Sequence, residues 1–442
     1  MLPPSDRRRR IFGLALPIFG GMISQNLLNL VDTAFVSRLG DQALAAVGQG
    51  SFANFMCIAF ITGLAPGVQA TAARRKGEGK DDETAIPLNG GLVLATGLGV
   101  PLAAGVVLAA PSLFPLLTDD PSVASLGTSY LQIRLLAVPA AGMNFAFRGY
   151  WNAVDLSRLY LRTLVVMHVV NVGLDWVLIF GPFGLPAYGV DGAAWASLIA
   201  TWTGTILYFL QATRRLRPAG FLRRVPGLST LLGMLKTSLP AALQQFFFAT
   251  GMTVFFAMVA RLGTAEVAAS NVLVNLLLVA ILPAIGFGLA AASLVGQALG
   301  QKEPDRARRW GWDVVRVAVP VVNVPALIGF VFPDLVLGVF LHDPETLDLA
   351  RWPLRLICVA LPLDVIGMVL LNGLFGAGDS MRVMVVSTGL QWLVFLPAVY
   401  VVGPVLGWGL LAVWAANAFY RLLQSGVFAV IWRSDGWTRV EV

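Results

Sequence analysis

Residues 11–40 read IFGLALPIFGGMISQNLLNLVDTAFVSRLG. From Ile11 to Val36 the run carries one formal charge, Asp32, and it is long enough to cross a bilayer, which takes roughly 20 apolar residues. A carboxylate inside a span is costly, so it faces a bundle interior or a wet cavity and serves ions or protons. Pro17, fifteen residues earlier, removes a helix hydrogen bond and gives the span a place to bend. A bendable helix carrying a titratable group suits the moving part of a transporter.

The rest of the chain has the same character. It is 442 residues long, 57% hydrophobic and 12% charged, with a mean hydropathy of +0.76. Soluble domains carry about 25% charged residues, so a soluble enzyme is excluded and a polytopic membrane protein remains. Barrel strands alternate apolar and polar residues over about 10 positions. Here the apolar runs continue for roughly 20–30 residues without alternation, so the spans are helices. Arg7–Arg10 before an apolar run imitates a signal peptide, but the run exceeds an h-region of about 7–15 residues and lacks a small-residue cleavage site. It is expected to stay as a first span. Cys57 and Cys358 fall in distant apolar runs and read as core residues, with neither a disulfide framework nor a metal site.

Twelve apolar segments follow one another, at about 11–36, 46–70, 88–111, 127–151, 160–181, 190–212, 232–259, 268–298, 313–334, 350–375, 383–403 and 408–431. An even number places both termini on one side. If that side is cytoplasmic, 26 of the 31 Lys and Arg residues fall inside and Arg38, Arg134, Arg261, Arg351 and Arg355 fall outside. The positive-inside rule therefore accounts for the net charge of +7 and fixes both ends in the cytoplasm. Nucleic acid is not a partner, since no basic face with interleaved aromatics occurs.

The longest polar connection, 213–231, separates an N-terminal lobe of six segments (1–212) from a C-terminal lobe of six (232–442). The halves repeat. Leu16-Pro17 matches Leu239-Pro240, Arg38-Leu39-Gly40 matches Arg261-Leu262-Gly263, and Ala45-Ala46 matches Ala268-Ala269. Gly63, Gly77 and Pro139 match Gly286, Gly300 and Pro362, every pair 223 residues apart. Six spans per copy make the copies parallel, related by an axis along the membrane normal, with the substrate path between them.

The repeat sharpens the polar residues. Asp32 stands opposite Phe255, and Asp175 in the fifth segment stands opposite Pro397 once Gly181-Pro182 and Gly403-Pro404 are aligned. Each aspartate lies six residues before the outer end of its span, hence about 9 Å below that boundary at 1.5 Å per residue. Asn171 is one turn deeper on the Asp175 face, and Ser197 in the sixth segment reaches a similar level. Two carboxylates, an amide and a hydroxyl at one depth could hold H⁺ between the carboxylates or Na⁺ among hard oxygens; pairing between neighbouring helices is the competing account.

Other positions are open between function and packing. Asp364, beside Pro362 in the tenth segment, could be a second ion or substrate site or could serve a helix distortion. Tyr130 and Arg134 lie toward the outer end of the fourth, with Arg134 either a partner for an aspartate or a snorkelling cation. His168 could relay protons, though a packed, hydrogen-bonded histidine explains it as simply. Gln244, Gln245, Phe246–Phe248 and Met252, with Asn271 and Asn275, could line an amphipathic cavity. No Walker lysine motif, G-x-S-x-G elbow or His-rich metal spacing occurs, so neither ATP drive nor an enzyme site is expected.

Leu16-Pro17, then VDTAFVSRLG, then LAAVG resembles the first-span signature of the MATE (multidrug and toxic compound extrusion) exporters. LP, RLG, AEVAASN and VGQALGQ in the second half agree with it. YLQIRLLAVPA, NVGLDWVLIFG and GVDGAAWASLIA are most similar to the DinF-like branch. The resemblance covers nearly the whole chain. It implies an all-α integral membrane protein with twelve transmembrane helices in two pseudo-symmetric six-helix bundles, arranged as a V. It also implies alternating access and antiport of small amphipathic organic compounds against H⁺ or Na⁺. In that branch the N-lobe cation site would comprise Asp32, Asn171, Asp175 and Tyr130, with Ser197 in place of the usual threonine and Pro17 as the kink. Where the NorM branch has a seventh-span glutamate this chain has Phe247-Phe248, while Asp364 matches the NorM-type tenth-span aspartate, leaving its role open.

The expectation is therefore an H⁺-coupled exporter, a monomer with no cofactor, embedded in the lipid of a bacterial inner membrane. Burial and like-charge proximity favour retention of a proton by the Asp32–Asp175 pair, and its neutralisation would let the first span bend at Pro17. The alternative is a flippase for lipids or lipid-linked saccharides, which would need cations along its cavity.

Overall fold

Every apolar segment folds as helix, and no strand occurs among the described residues, 2–224 and 226–440 of the computed structural model. The first segment is α1 (Ser5–Val36). The second is α2 (Asp41–Thr62) and α3 (Leu64–Gly77), which meet at Gly63. After α4 (Ile86–Leu113) the fourth segment is again two helices, α5 (Pro121–Leu135) and α6 (Val138–Ala153). Pro139 sits in the first turn of α6, where its missing N–H costs nothing. The half closes with α7 (Ser157–Phe180) and α8 (Gly189–Arg215).

The second half holds α9 (Leu228–Val259), α10 (Thr264–Gly300), α11 (Pro304–Val331), a short α12 (Pro333–Leu337) and α13 (Pro344–Ala377). Its eleventh segment begins as α14 (Ser380–Leu390), widens to π-helix at Gln391–Phe395, narrows to α15 (Leu396–Tyr400) and widens again at Val401–Val405. The chain ends in α16 (Gly409–Arg433). Among the described residues, ten helical spans are long and apolar enough to cross a membrane. The fourth and twelfth segments complete the twelve: one is divided between α5 and α6, and the other is 25 residues long but diluted by Asn417, Arg421 and Gln424. Mid-helix Leu108 and Leu393 are 82% and 79% exposed, a surface that lipid accounts for.

Two compact units form, and their limits depart from the expected division at 213–231. One unit holds residues up to Phe19 with those from Leu243 onward; the other holds Gly20–Ala242. The limits fall inside α1 and α9, two residues after Pro17 and two after Pro240, again 223 residues apart. The first turns of each of these helices belong to one unit and the remainder to the other.

The reason is local packing. Arg7 pairs with the buried carboxylate of Asp313 and lies 4.3 Å over the Trp310 ring, Arg10 donates to Gln297, and Phe12 meets Phe287 edge-on at 5.8 Å. These contacts bind the start of α1 to α10 and α11. The start of α9 is bound to the other unit by glycines. A Cβ on Gly63 or Gly67 would fall inside contact distance of Ser238, and one on Gly90 would meet Met234 Sδ at 2.9 Å. Gly286, the repeat partner of Gly63, lets α10 approach Ala15 and Phe19 of α1. Gly40, at φ 102°, makes the turn from α1 into α2 in a conformation that favours glycine.

Inside the Gly20–Ala242 unit, Phe147 stacks on Tyr208 at 5.2 Å amid buried Trp151, Phe221 and Met234. In the other unit Phe395 stacks between Phe255 (5.6 Å) and Tyr420 (5.0 Å), and Trp432 stacks on Trp437 at 4.2 Å. Each such pair adds about 0.5–1.5 kcal/mol beyond its buried area. Both cysteines are free thiols, Cys57 half-buried and Cys358 buried.

Candidate cation site

Gly181, left-handed at φ 60°, ends α7 by donating its N–H to Val177 O, and Tyr188 N–H returns to Leu178 O at the start of α8. That cap fixes the register of the turns before it, which carry Asp175, Asn171 and His168 on one buried face. Asp175 is 1% exposed. Its carboxyl lies close enough to that of Asp32, half-buried on α1, for the two to interact directly. Asn171 Nδ2 donates to Asp175 Oδ2 at 2.8 Å. Arg134 of α5 lies close enough to act electrostatically on both carboxyls.

Of the other expected members, Tyr130 is buried nearby against Gly50, and its hydroxyl is 3.0 Å from Ser51 Oγ. Ser197 is half-buried on α8, its carbonyl accepting from Thr201. Among the described residues no hydrogen bond joins either side chain to the aspartates. Pro17 is buried within an unbroken α1. His168, 8% exposed, is bonded on both ring nitrogens, to Ser24 Oγ at 2.6 Å and Gln25 Oε1 at 3.2 Å. Gln25 in turn donates to Asn29 at 3.2 Å. The α1 side of this arrangement was legible as Gln25, Asn29 and Asp32 at helical spacing, but only Asp32 drew attention.

In the other unit Asp364 is 5% exposed and paired with Arg421 of α16 at 3.6 Å. The pair borders a cavity shared with Asn417 that has room for about one water. Arg421 is thus mid-helix and half-buried, not an inner loop charge, and the tally of inner basic residues loses it. Its position inside 408–431 was the signal. The remaining residues do not converge with Asp364. Gln244 and Gln245 are half-buried without hydrogen bonds among the described residues, as is the half-buried Met252. Phe248 offers its carbonyl to Gln391 Nε2 at 3.2 Å. Asn271 and Asn275 are exposed and bonded back along α10. No cluster of three His, Cys, Asp or Glu residues suited to a metal occurs among the described residues.

Two repeated six-segment halves, apolar outside, with a carboxyl pair in one, have the build of a polytopic transporter. A family model described as MatE matches residues 17–177 and again 240–401, so the chain belongs to the MatE family. It is 25% identical to a "Probable multidrug resistance protein NorM" of Thermotoga maritima, over 98% of this chain and 93% of that one. It is also 25% identical to a "Probable multidrug resistance protein YoeA" of Bacillus subtilis, over 96% and 94%. Its fold matches a structure described as the outward-facing conformation of a multidrug resistance MATE family transporter of the MOP superfamily. There the TM-score is 0.87 and identity 22%, over 97% of this chain and 95% of that one.

Proposed function

We propose that this protein is a DinF-like, H⁺-coupled exporter of amphipathic organic compounds, working as a monomer in a bacterial inner membrane with both termini cytoplasmic. The carrying observation is the close approach of the Asp32 and Asp175 carboxyls, with Asn171 donating to Asp175. Two carboxylates so placed repel each other, and one proton between them relieves the repulsion. Asn171 turns its amide nitrogen, not its oxygen, toward Asp175, and the Tyr130 hydroxyl turns to Ser51. The oxygens that Na⁺ would need around it are thus not aimed at the pair, and the nearby Arg134 charge opposes a second fixed cation. The multidrug resistance names of the relatives support the substrate class.

In this reading protons reach the pair from the outer side, neutralise it and release the organic substrate outward; inward proton release then resets the carrier. Reconstituted protein should drive efflux of a fluorescent cationic dye under an imposed pH gradient without Na⁺, and Asp32→Asn should abolish that efflux while remaining folded. Normal efflux by the variant would sink the mechanism. Transport that requires Na⁺ would keep the site and change its occupant. No gradient-driven dye movement at all would favour the lipid-linked flippase.

A further inference from the structure

Asp32, Asp175 and His168 lack titratable counterparts in the repeat. Asp32 stands opposite Phe255 and Asp175 opposite Pro397. His168 stands opposite Gln391 at the 223-residue offset of Asp32 and Phe255, one more than the 222 that sets Asp175 opposite Pro397. The third substitution is informative because the repeat preserves its contact. His168 of α7 meets Ser24 and Gln25 of α1; Gln391 and Trp392 donate to the carbonyls of Phe248 and Phe247 of α9, which are the counterparts of Gln25 and Ser24. The scaffold needs a polar side chain here in both halves. Only the half with the carboxyl pair makes it an imidazole.

The placement is axial. His168, Asn171 and Asp175 succeed one another on α7 while Gln25, Asn29 and Asp32 succeed one another on α1, so two polar ladders run side by side for about 10 Å. At one end the ladders meet in the carboxyl pair, and at the other in the imidazole. Gln25 and Asn29 are exposed along the α1 ladder. The imidazole bonds are directional. Gln25 Oε1 only accepts, so Nε2 carries hydrogen, and Nδ1 of the neutral ring accepts from the Ser24 hydroxyl. A proton delivered to Nδ1 makes imidazolium, and loss of the Nε2 proton restores a neutral ring, with one proton bound and one released.

We infer that His168, held by Ser24 and Gln25, is a second proton-binding site, the inward station through which the Asp32–Asp175 pair discharges. The inference rests on the H⁺-coupled reading above. The charged and titratable groups around it are few: on α7, Asp175 two turns outward and Tyr160 two turns inward; on α1, Asp32; on α8, Tyr208, whose hydroxyl donates to Tyr160 O. From the remaining helices come Arg134, near the carboxyl pair, and Arg148, near Tyr160. None of these contacts the imidazole, so no fixed charge competes for its proton.

His168→Gln gives this half the residue the other half uses at the same contact, so it keeps the scaffold and removes only the titratable nitrogen. In proteoliposomes without Na⁺, the variant should lose pH-gradient-driven net dye efflux by about tenfold. Dye–dye exchange, which returns the carrier with substrate bound and needs no proton discharge, should persist. Net efflux at the wild-type rate, or equal loss of exchange and efflux, would overturn the inference. A wild-type protein insensitive to the pH gradient, with Asp32→Asn unaffected, would instead overturn the H⁺-coupled reading and take this inference with it.

Discussion

Asp364 Oδ1 and Arg421 Nη1 lie 3.6 Å apart inside one unit, both side chains almost withdrawn from solvent. The carboxylate that could have served as a second cation site already faces a tethered cation. Removing one partner of a buried pair strands the other charge, at a cost of about 3–5 kcal/mol, whereas replacing both with apolar groups is often neutral. Arg421→Met alone should therefore lower the thermal unfolding midpoint in detergent markedly, and the double variant with Asp364→Leu should recover most of the loss. Na⁺ should not raise the wild-type midpoint through this site. A double variant as unstable as the single would show that Asp364 is needed for something other than its ion pair.

Much of this fold was open to reading because the signals are periodic and long. The 223-residue offset linked Leu16-Pro17 to Leu239-Pro240 and Gly63 to Gly286, and both pairs mark real packing events. The aspartate pair was legible because depth follows from counting residues to a span end. What could not be read was which unit each turn joins. That depends on contacts such as Arg7 with Trp310 and Asp313, between residues some 300 positions apart, and on glycine approaches that have no periodic signature. Arg421 is hidden for a related reason: charge count assigns a side, but only packing shows a half-buried cation beside Asp364.

Gly63 and Gly286 offer a graded comparison. A Cβ on Gly63 would collide with the backbone carbonyl of Ser238 and the Ala242 nitrogen, whereas on Gly286 its nearest neighbour is Phe19 Cβ at 3.2 Å, an approach that small shifts relieve. Overpacking typically costs about 1–3 kcal/mol. Gly63→Ala should reduce the yield of folded protein and its thermal midpoint clearly more than Gly286→Ala, measured side by side in one detergent. Equal effects would mean that α9 moves away from Gly63 without penalty.

Asp343 gives an acid-sensitive helix start outside the spans. Its carboxylate accepts from the Thr346 hydroxyl and the Thr346 N–H, the latter at 2.9 Å, which holds its pKa below the ordinary carboxylate value of 3.8. With the folded value depressed, the cap's contribution is complete above the unfolded pKa and lost as pH falls through the folded one. Hydrogen exchange in the first turn of α13, corrected for intrinsic rates, should therefore show protection that weakens below about pH 4. Asp343→Asn keeps a capping oxygen and should remove that pH step. Persistence of the step in the variant would assign it to another group.

Pro17 and Pro240 each stand two residues before the point where their helix passes from one compact unit into the other. A helix proline leaves one carbonyl without its N–H partner and weakens resistance to bending at that turn. If transport requires the units to move as bodies, both junctions must bend, so the kink expected of Pro17 has an equal at Pro240. Pro17→Ala and Pro240→Ala each restore a helix hydrogen bond, and each should slow net efflux several-fold while leaving thermal stability unchanged or higher. Spin-label distances between the units, with and without dye, should span a narrower range in either variant. A normal rate in Pro240→Ala with a slow Pro17→Ala would confine bending to α1, the helix that carries Asp32, and would make the carboxyl pair rather than the repeat the organiser of the motion.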